Sequence, residues 1–73
     1  MTDFVQGDEV VWTGGDGQEV RGRVQAVERG TMTRTVDGLE VTREGSESDP
    51  ALYIDVADGR HSVRLGSEVR RTE

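Results

Sequence analysis

Two neighbouring stretches decide the fold: Gly7-Asp8-Glu9-Val10-Val11-Trp12-Thr13 and, after a glycine-rich break, Gln18-Glu19-Val20-Arg21-Gly22-Arg23-Val24-Gln25-Ala26-Val27-Glu28. In the first, Val10 and Trp12 alternate with Glu9, Val11 and Thr13, the period-two pattern of a half-buried strand over 8–13. In the second, Val20, Gly22, Val24 and Ala26 fall on one face, and Arg21, Arg23 and Gln25 on the other. Gly14-Gly15-Asp16-Gly17 between them can reverse the chain with positive φ, so the two strands form a hairpin. Gly22 in mid-strand signals a bend or a close backbone approach. Val27 interrupts the alternation after Ala26, as a bulge would, and a long strand that bends and bulges can serve both sheets of a small barrel.

Outward from there the same grammar continues. Thr31, Thr33, Thr35, Val36 and Val41 favour extended chain, and Asp37-Gly38 is a hairpin turn signal within 29–43. Residues 44–49 are polar and loop-like, and Pro50 closes them. Leu52, Ile54 and Val56 then point inward, with Tyr53 and Asp55 outward. Asp58-Gly59 turns the chain into a return strand, Arg60 to Leu65, on which His61, Val63 and Leu65 share the face opposite Arg60, Ser62 and Arg64. Gly66-Ser67-Glu68 fits a short turn of 3₁₀ helix before a last strand at Val69 to Arg71. The expectation is an all-β chain with a single domain over 1–73, a small SH3-like barrel of five or six short antiparallel strands.

Composition narrows the chemistry. The chain has 73 residues, a formal net charge of -6, one His and no Cys. Disulfides, thiolate metal sites and paired-imidazole zinc sites are therefore excluded, and no cofactor or metal is expected. No basic n-region, leader-like segment or long apolar run occurs, so the reading is a soluble, cytoplasmic protein with no membrane role. All nine cations are Arg. Coding bias or an acidic surface adapted to salt explains that choice more readily than recognition does. The acidic balance repels the phosphate backbone and disfavours non-specific nucleic-acid binding, though a local basic patch remains open.

The pattern Gly7-Asp8-x-Val10-x-Trp12, Val20-Arg21-Gly22-x-Val24, Ser46-Glu47-x-Asp49-Pro50 and Gly66-Ser67-x-Val69-Arg70 resembles the Tudor domain of the hypervirulence-associated protein family, formerly a domain of unknown function. The likeness runs nearly end to end. The chain departs from the family at Leu52, where a Tyr is usual two residues after the Pro, and at Arg64-Leu65, where His-Lys tends to precede the Gly-Ser. The resemblance implies an SH3-like Tudor barrel and transfers a fold more firmly than an activity.

Tudor-type modules hold methylated Lys or Arg in a cage of aromatic rings. Only Phe4, Trp12 and Tyr53 are aromatic here, so a full cage is not expected, and Trp12 fits a core position. Asp55 shares the outward face with Tyr53 and could complete a pocket for a cationic side chain, which makes Trp12, Tyr53 and Asp55 the candidate ligand-binding residues. Arg21 and Arg23, with Arg70 and Arg71, are the alternative, a basic stripe for phosphate or a carboxylate-rich peptide; pairing with Glu9, Glu19 or Glu28 is the commoner use of such Arg. His61 and Ser62 are adjacent on a strand and so point to opposite faces, which rules out a nucleophile–base pair. Gly14-Gly15-Asp16-Gly17 lacks the Lys-Ser or Lys-Thr of a phosphate cradle. The expected function is a non-catalytic binding module for a protein or peptide, holding a basic or extended segment, with nucleic-acid binding through the Arg stripe as the alternative.

Overall fold

In a computed structural model, which describes residues 4–72, seven strands succeed one another: β1 (Glu9–Thr13), β2 (Glu19–Glu28), β3 (Thr31–Val36), β4 (Leu39–Glu44), β5 (Ala51–Val56), β6 (Arg60–Leu65) and β7 (Arg70–Arg71). Single 3₁₀ turns at Ala57–Gly59 and Gly66–Glu68 flank β6. Among the described residues no helix is long and apolar enough to cross a membrane. Five strands form one antiparallel sheet in the order β6-β5-β2-β1-β7, and β3 and β4 form a separate hairpin. The strand count thus exceeds the expected five or six, because the hairpin is inserted between the second and third strands of a five-stranded SH3-like barrel.

The long β2 joins the two halves of the barrel. Its residues Glu19 to Arg23 pair with β1, and Gly22 to Glu28 pair with β5. The register slips between Val24 and Ala26, so the bulge falls at Gln25, earlier than the Val27 irregularity suggested. The extra residue reverses the facing of the strand beyond it. Val24 stays opposite Ile54 in the barrel interior, but Ala26 lies opposite Tyr53 on the outer side, and Val27 returns inward opposite Leu52. Gly22 permits close approach without a left-handed backbone: a Cβ there would sit 2.4 Å from Ile54 Cγ2 and 3.0 Å from the Asp55 carbonyl oxygen.

A second correction concerns β6. A two-residue turn at Asp58-Gly59 would pair 57 with 60 and set Leu65 and Val63 opposite Leu52 and Ile54. The connection uses three residues instead, with Gly59 at φ 72°, and Val56 pairs with Arg60. Every partner on β6 moves by one. Arg64 now faces Leu52, Ser62 faces Ile54, and Val63 and Leu65 turn to the outer side opposite Tyr53 and Ala51.

The outer side is not left wet, because the β3–β4 hairpin covers it. Asp37 (φ 53°) and Gly38 (φ 80°) make its tight turn, both left-handed, as an Asp-Gly turn between twisted strands requires. Two small cores result. Inside the barrel, Phe4, Val10, Trp12, Val24, Leu52, Ile54 and Val69 are buried together; between barrel and hairpin, Met32, Ala51 and Val63 are buried with Tyr53, Ala26, Val36, Val41 and Leu65 packed around them.

Candidate functional site: a cleft at the open seam of the barrel

No ladder joins β6 to β1 or β7 among the described residues, and β7 covers only Val10 and Val11 of β1. The barrel is therefore open along a seam beside Trp12. A cleft of about 280 Å³ lies there, lined on one side by Trp12, Gly14 and Val20 and on the other by Arg60, Ser62 and Arg64, with His61 and, from the β3–β4 hairpin, Val36 and Asp37 at its rim. Trp12 is 4% exposed, and the Arg64 guanidinium carbon sits 5.5 Å from its ring centroid, within cation–π range. The Arg64 Nε–H is buried and has no acceptor among the described residues. Such a donor costs about 1–3 kcal/mol when left unpaired, and the penalty is relieved by any acceptor that enters.

Tyr53 and Asp55 lie on the outer side of the sheet, so they do not meet Trp12 directly. What links the three is His61. Its ring stacks on Tyr53, centroids 4.8 Å apart and planes 5° from parallel, and its Nε2 lies 3.6 Å from Asp55 Oδ1. Gln25 Nε2 donates to Asp55 Oδ2 at 3.1 Å, and the Arg34 guanidinium lies 5.3 Å from the Tyr53 ring centroid. The chain's own His61, Gln25 and Arg34 thus use the groups that would greet a foreign cation at Tyr53 and Asp55. Those two residues instead hold His61 at the rim of the cleft. The cleft itself is rich in donors: among the described residues Arg60, Arg64 and His61 line it against one carboxylate, that of Asp37.

Sequence reasoning overlooked Arg60 and Arg64, because it set them opposite the apolar face of their strand. The missing signal was the loop length: with Leu52 and Ile54 inward, a three-residue connection brings Arg64 and Ser62 inward as well.

The four Arg of the alternative stripe divide. Arg21 and Arg70 flank Val11 across adjacent strands, and Arg23 comes next on the same outer face opposite Glu9 and Asp55. Arg71 lies instead with Val10, its guanidinium carbon 5.3 Å from the Phe4 ring centroid and its Nε 3.3 Å from Asp8 Oδ2. Arg70 Nη2 is 3.7 Å from Glu19 Oε2, and Arg23 Nη1 donates to the Gly7 carbonyl at 3.1 Å. Carboxylates interleave with the cations across this face. The groove beside Arg21 and Arg23 includes Glu9 and Asp55 as well.

The remaining motif residues hold the barrel together. Asp49 accepts from the Ser67 amide at 2.7 Å and from its hydroxyl at 2.8 Å, joining the Ser-Glu-x-Asp-Pro loop to the Gly-Ser turn. At Gly66 a Cβ would fall 2.8 Å from Phe4 Cε2. Gly7 has φ 99°, its N–H donates to the Val24 carbonyl at 2.8 Å, and Asp8 Oδ2 accepts from the Val5 amide at 3.0 Å. These motif residues therefore have structural roles, most of them in contacts between distant parts of the chain.

No curated protein and no solved structure matches the chain. The family model described as the hypervirulence associated proteins TUDOR domain matches residues 7–69, a span that takes in the Gly-Asp turn, Trp12, the bulged strand and the Gly-Ser turn. The chain accordingly belongs to the hypervirulence-associated protein Tudor domain family.

Proposed function

We propose that this Tudor domain is a non-catalytic binding module that captures a segment of a partner protein in the seam cleft between β6 and the β1–β2 end of the barrel. The observation that carries the reading is the cleft's construction: an indole wall, an Arg laid over it with a buried donor lacking an acceptor, and a His fixed at the rim by Tyr53 and Asp55. Trp12 contributes a buried apolar wall behind Arg64; Tyr53 and Asp55 contribute position. Ser62 faces Ile54 while His61 faces Asp55, so the nearest hydroxyl and imidazole stand on opposite sides of the strand and form no nucleophile–base pair. A half-apolar cleft beside a strand edge suits an extended peptide better than a sugar-phosphate chain.

The test is capture of partners from the native host, then chemical-shift mapping on the full chain. Partner binding is expected to move the Trp12 indole N–H and the amides of Gly14, Ser62 and Arg64. Shifts confined to Arg21, Arg23 and Arg70, brought about by an oligonucleotide and lost steeply with salt, would replace this reading with nucleic-acid binding.

A further inference from the structure

Both borders of the seam are strand edges. Alternate backbone N–H and C=O groups of β6 point away from β5, and among the described residues no second strand hydrogen-bonds to β6, the β3–β4 hairpin packing on its outer face through side chains. Beyond Val11, β1 likewise runs past the end of β7. An edge of this kind is a template for one more strand. The side chains that would flank such a strand on the cleft side are Arg60, Ser62 and Arg64, at every second position of β6. At about 3.4 Å of rise per residue, the two Arg stand roughly 13–14 Å apart along the edge.

Resting on the binding-module reading above, we infer that the segment taken up by the cleft is an extended, acidic one that adds to the β6 edge, with carboxylates at positions i and i+4 facing Arg60 and Arg64. The acidic choice comes from charge. Among the described residues Arg60 and Arg64 outnumber Asp37 around the cleft, and a carboxylate supplies the acceptor that the buried Arg64 Nε–H lacks there. The same charges argue against a second copy of this chain as the occupant. Antiparallel pairing of two β6 edges about Ser62 would set Arg60 of each against Arg64 of the other, and like charges directly opposite are destabilising. Ser62 leaves room between the two Arg for a small or apolar residue at i+2. A basic segment would meet two guanidinium groups and one imidazole.

The experiment titrates the isotopically labelled full chain with a synthetic Thr/Val-rich decapeptide carrying Glu at two positions four apart, and with the same peptide carrying Lys there. The acidic peptide is expected to shift the amides of β6 and to slow hydrogen exchange at those pointing away from β5. The Lys peptide is expected to bind about tenfold or more weakly, as a specificity set by opposed charge requires. In the Arg60→Glu variant, whose substituted side chain is exposed, the preference for the acidic peptide should largely disappear, and a preference kept at full strength overturns the inference. Equal binding of the two peptides, or no response along β6, overturns the inference. If a captured partner still maps to the cleft in that case, the binding-module reading stands alone. If partner and peptides both map to the outer Arg21–Arg23 face, both readings fall, and β6 shifts that track protein concentration without peptide would name a second copy instead.

Discussion

One methyl group on Gly22 would collide with the barrel's centre. The Cβ would lie 2.4 Å from Ile54 Cγ2, and Ile54 is fully buried with nowhere to move, while the Asp55 carbonyl at 3.0 Å is fixed by the sheet. Gly22→Ala is therefore an overpacking change and should destabilise by about 1–3 kcal/mol. For a domain of this size, that lowers the melting temperature by roughly 4–8 °C per kcal/mol, readable by thermal denaturation; an unchanged midpoint would refute the close approach. Arg64 presents the opposite case. It shields Trp12 but carries a buried donor without an acceptor among the described residues. Arg64→Met keeps apolar cover over the indole and removes that donor, so the variant should melt at the same temperature or higher while binding an acidic segment more weakly. A marked loss of stability would show that the guanidinium is held by its environment better than its contacts indicate.

At the scale of elements, strand identity and strand register part company. The strands of the first hairpin, the Asp37-Gly38 turn, the return strand over Arg60–Leu65 and the 3₁₀ turn at Gly66–Glu68 are all legible from glycine placement and alternation, which are local properties. Register is not. A bulge at Gln25 and a three-residue loop at Ala57–Gly59 each displace the pairing by one residue, and one residue exchanges the faces of a whole strand. Val63 and Leu65 look like barrel interior until the hairpin is seen to cover the other side, and that cover is a long-range contact. The candidate site suffered for the same reason: Trp12 was legible as a packed ring, whereas Arg64 comes over it, and Arg60 beside the same cleft, only through the shifted register.

The tie between that hairpin and the rest of the chain is testable by acid. Arg43 on β4 donates to Glu68 Oε2 at 2.6 Å, and Glu68 Oε1 accepts from the Leu65 amide at 3.0 Å. The hydrogen bond from Arg43, helped by the backbone amide and opposed by partial burial, holds the Glu68 carboxyl below its ordinary value of 4.5. A folded-state pKa below the unfolded one means that the contribution is present in full above 4.5 and is lost as pH falls through the lowered folded value. Both partners are about one-third exposed, so the pair is worth no more than about 1 kcal/mol. Glu68→Gln should therefore melt slightly below the parent at pH 7, and the two should converge in strongly acidic buffer. A difference that persisted at low pH would assign the effect to shape instead of charge.

At the scale of the whole molecule the governing quantity is a net charge of -6 spread over a body of 30 × 29 × 21 Å. At about 0.01 M salt the screening length is roughly 30 Å, so every carboxylate feels the others across the full width of the molecule. At about 0.15 M it falls to roughly 8 Å, and only near neighbours still interact. The attractive contacts are of that near kind: Arg43 with Glu68 at 2.6 Å, Arg71 with Asp8 at 3.3 Å and Arg70 with Glu19 at 3.7 Å. Added salt therefore removes the long-range repulsion before it weakens the pairs. Unfolding relieves the same repulsion by spreading the charges apart, so the folded state gains on screening. Raising sodium chloride from about 0.01 to 0.15 M should raise the melting temperature at pH 7 by a few degrees, on the order of 0.5 kcal/mol at the conversion for a domain this size. At a pH near 5, where some carboxylates are protonated, the same salt step should produce a smaller rise. A melting temperature that fell with salt at pH 7 would mean that the exposed Arg–carboxylate pairs outweigh the acidic excess, and that the nine Arg act mainly as a surface network.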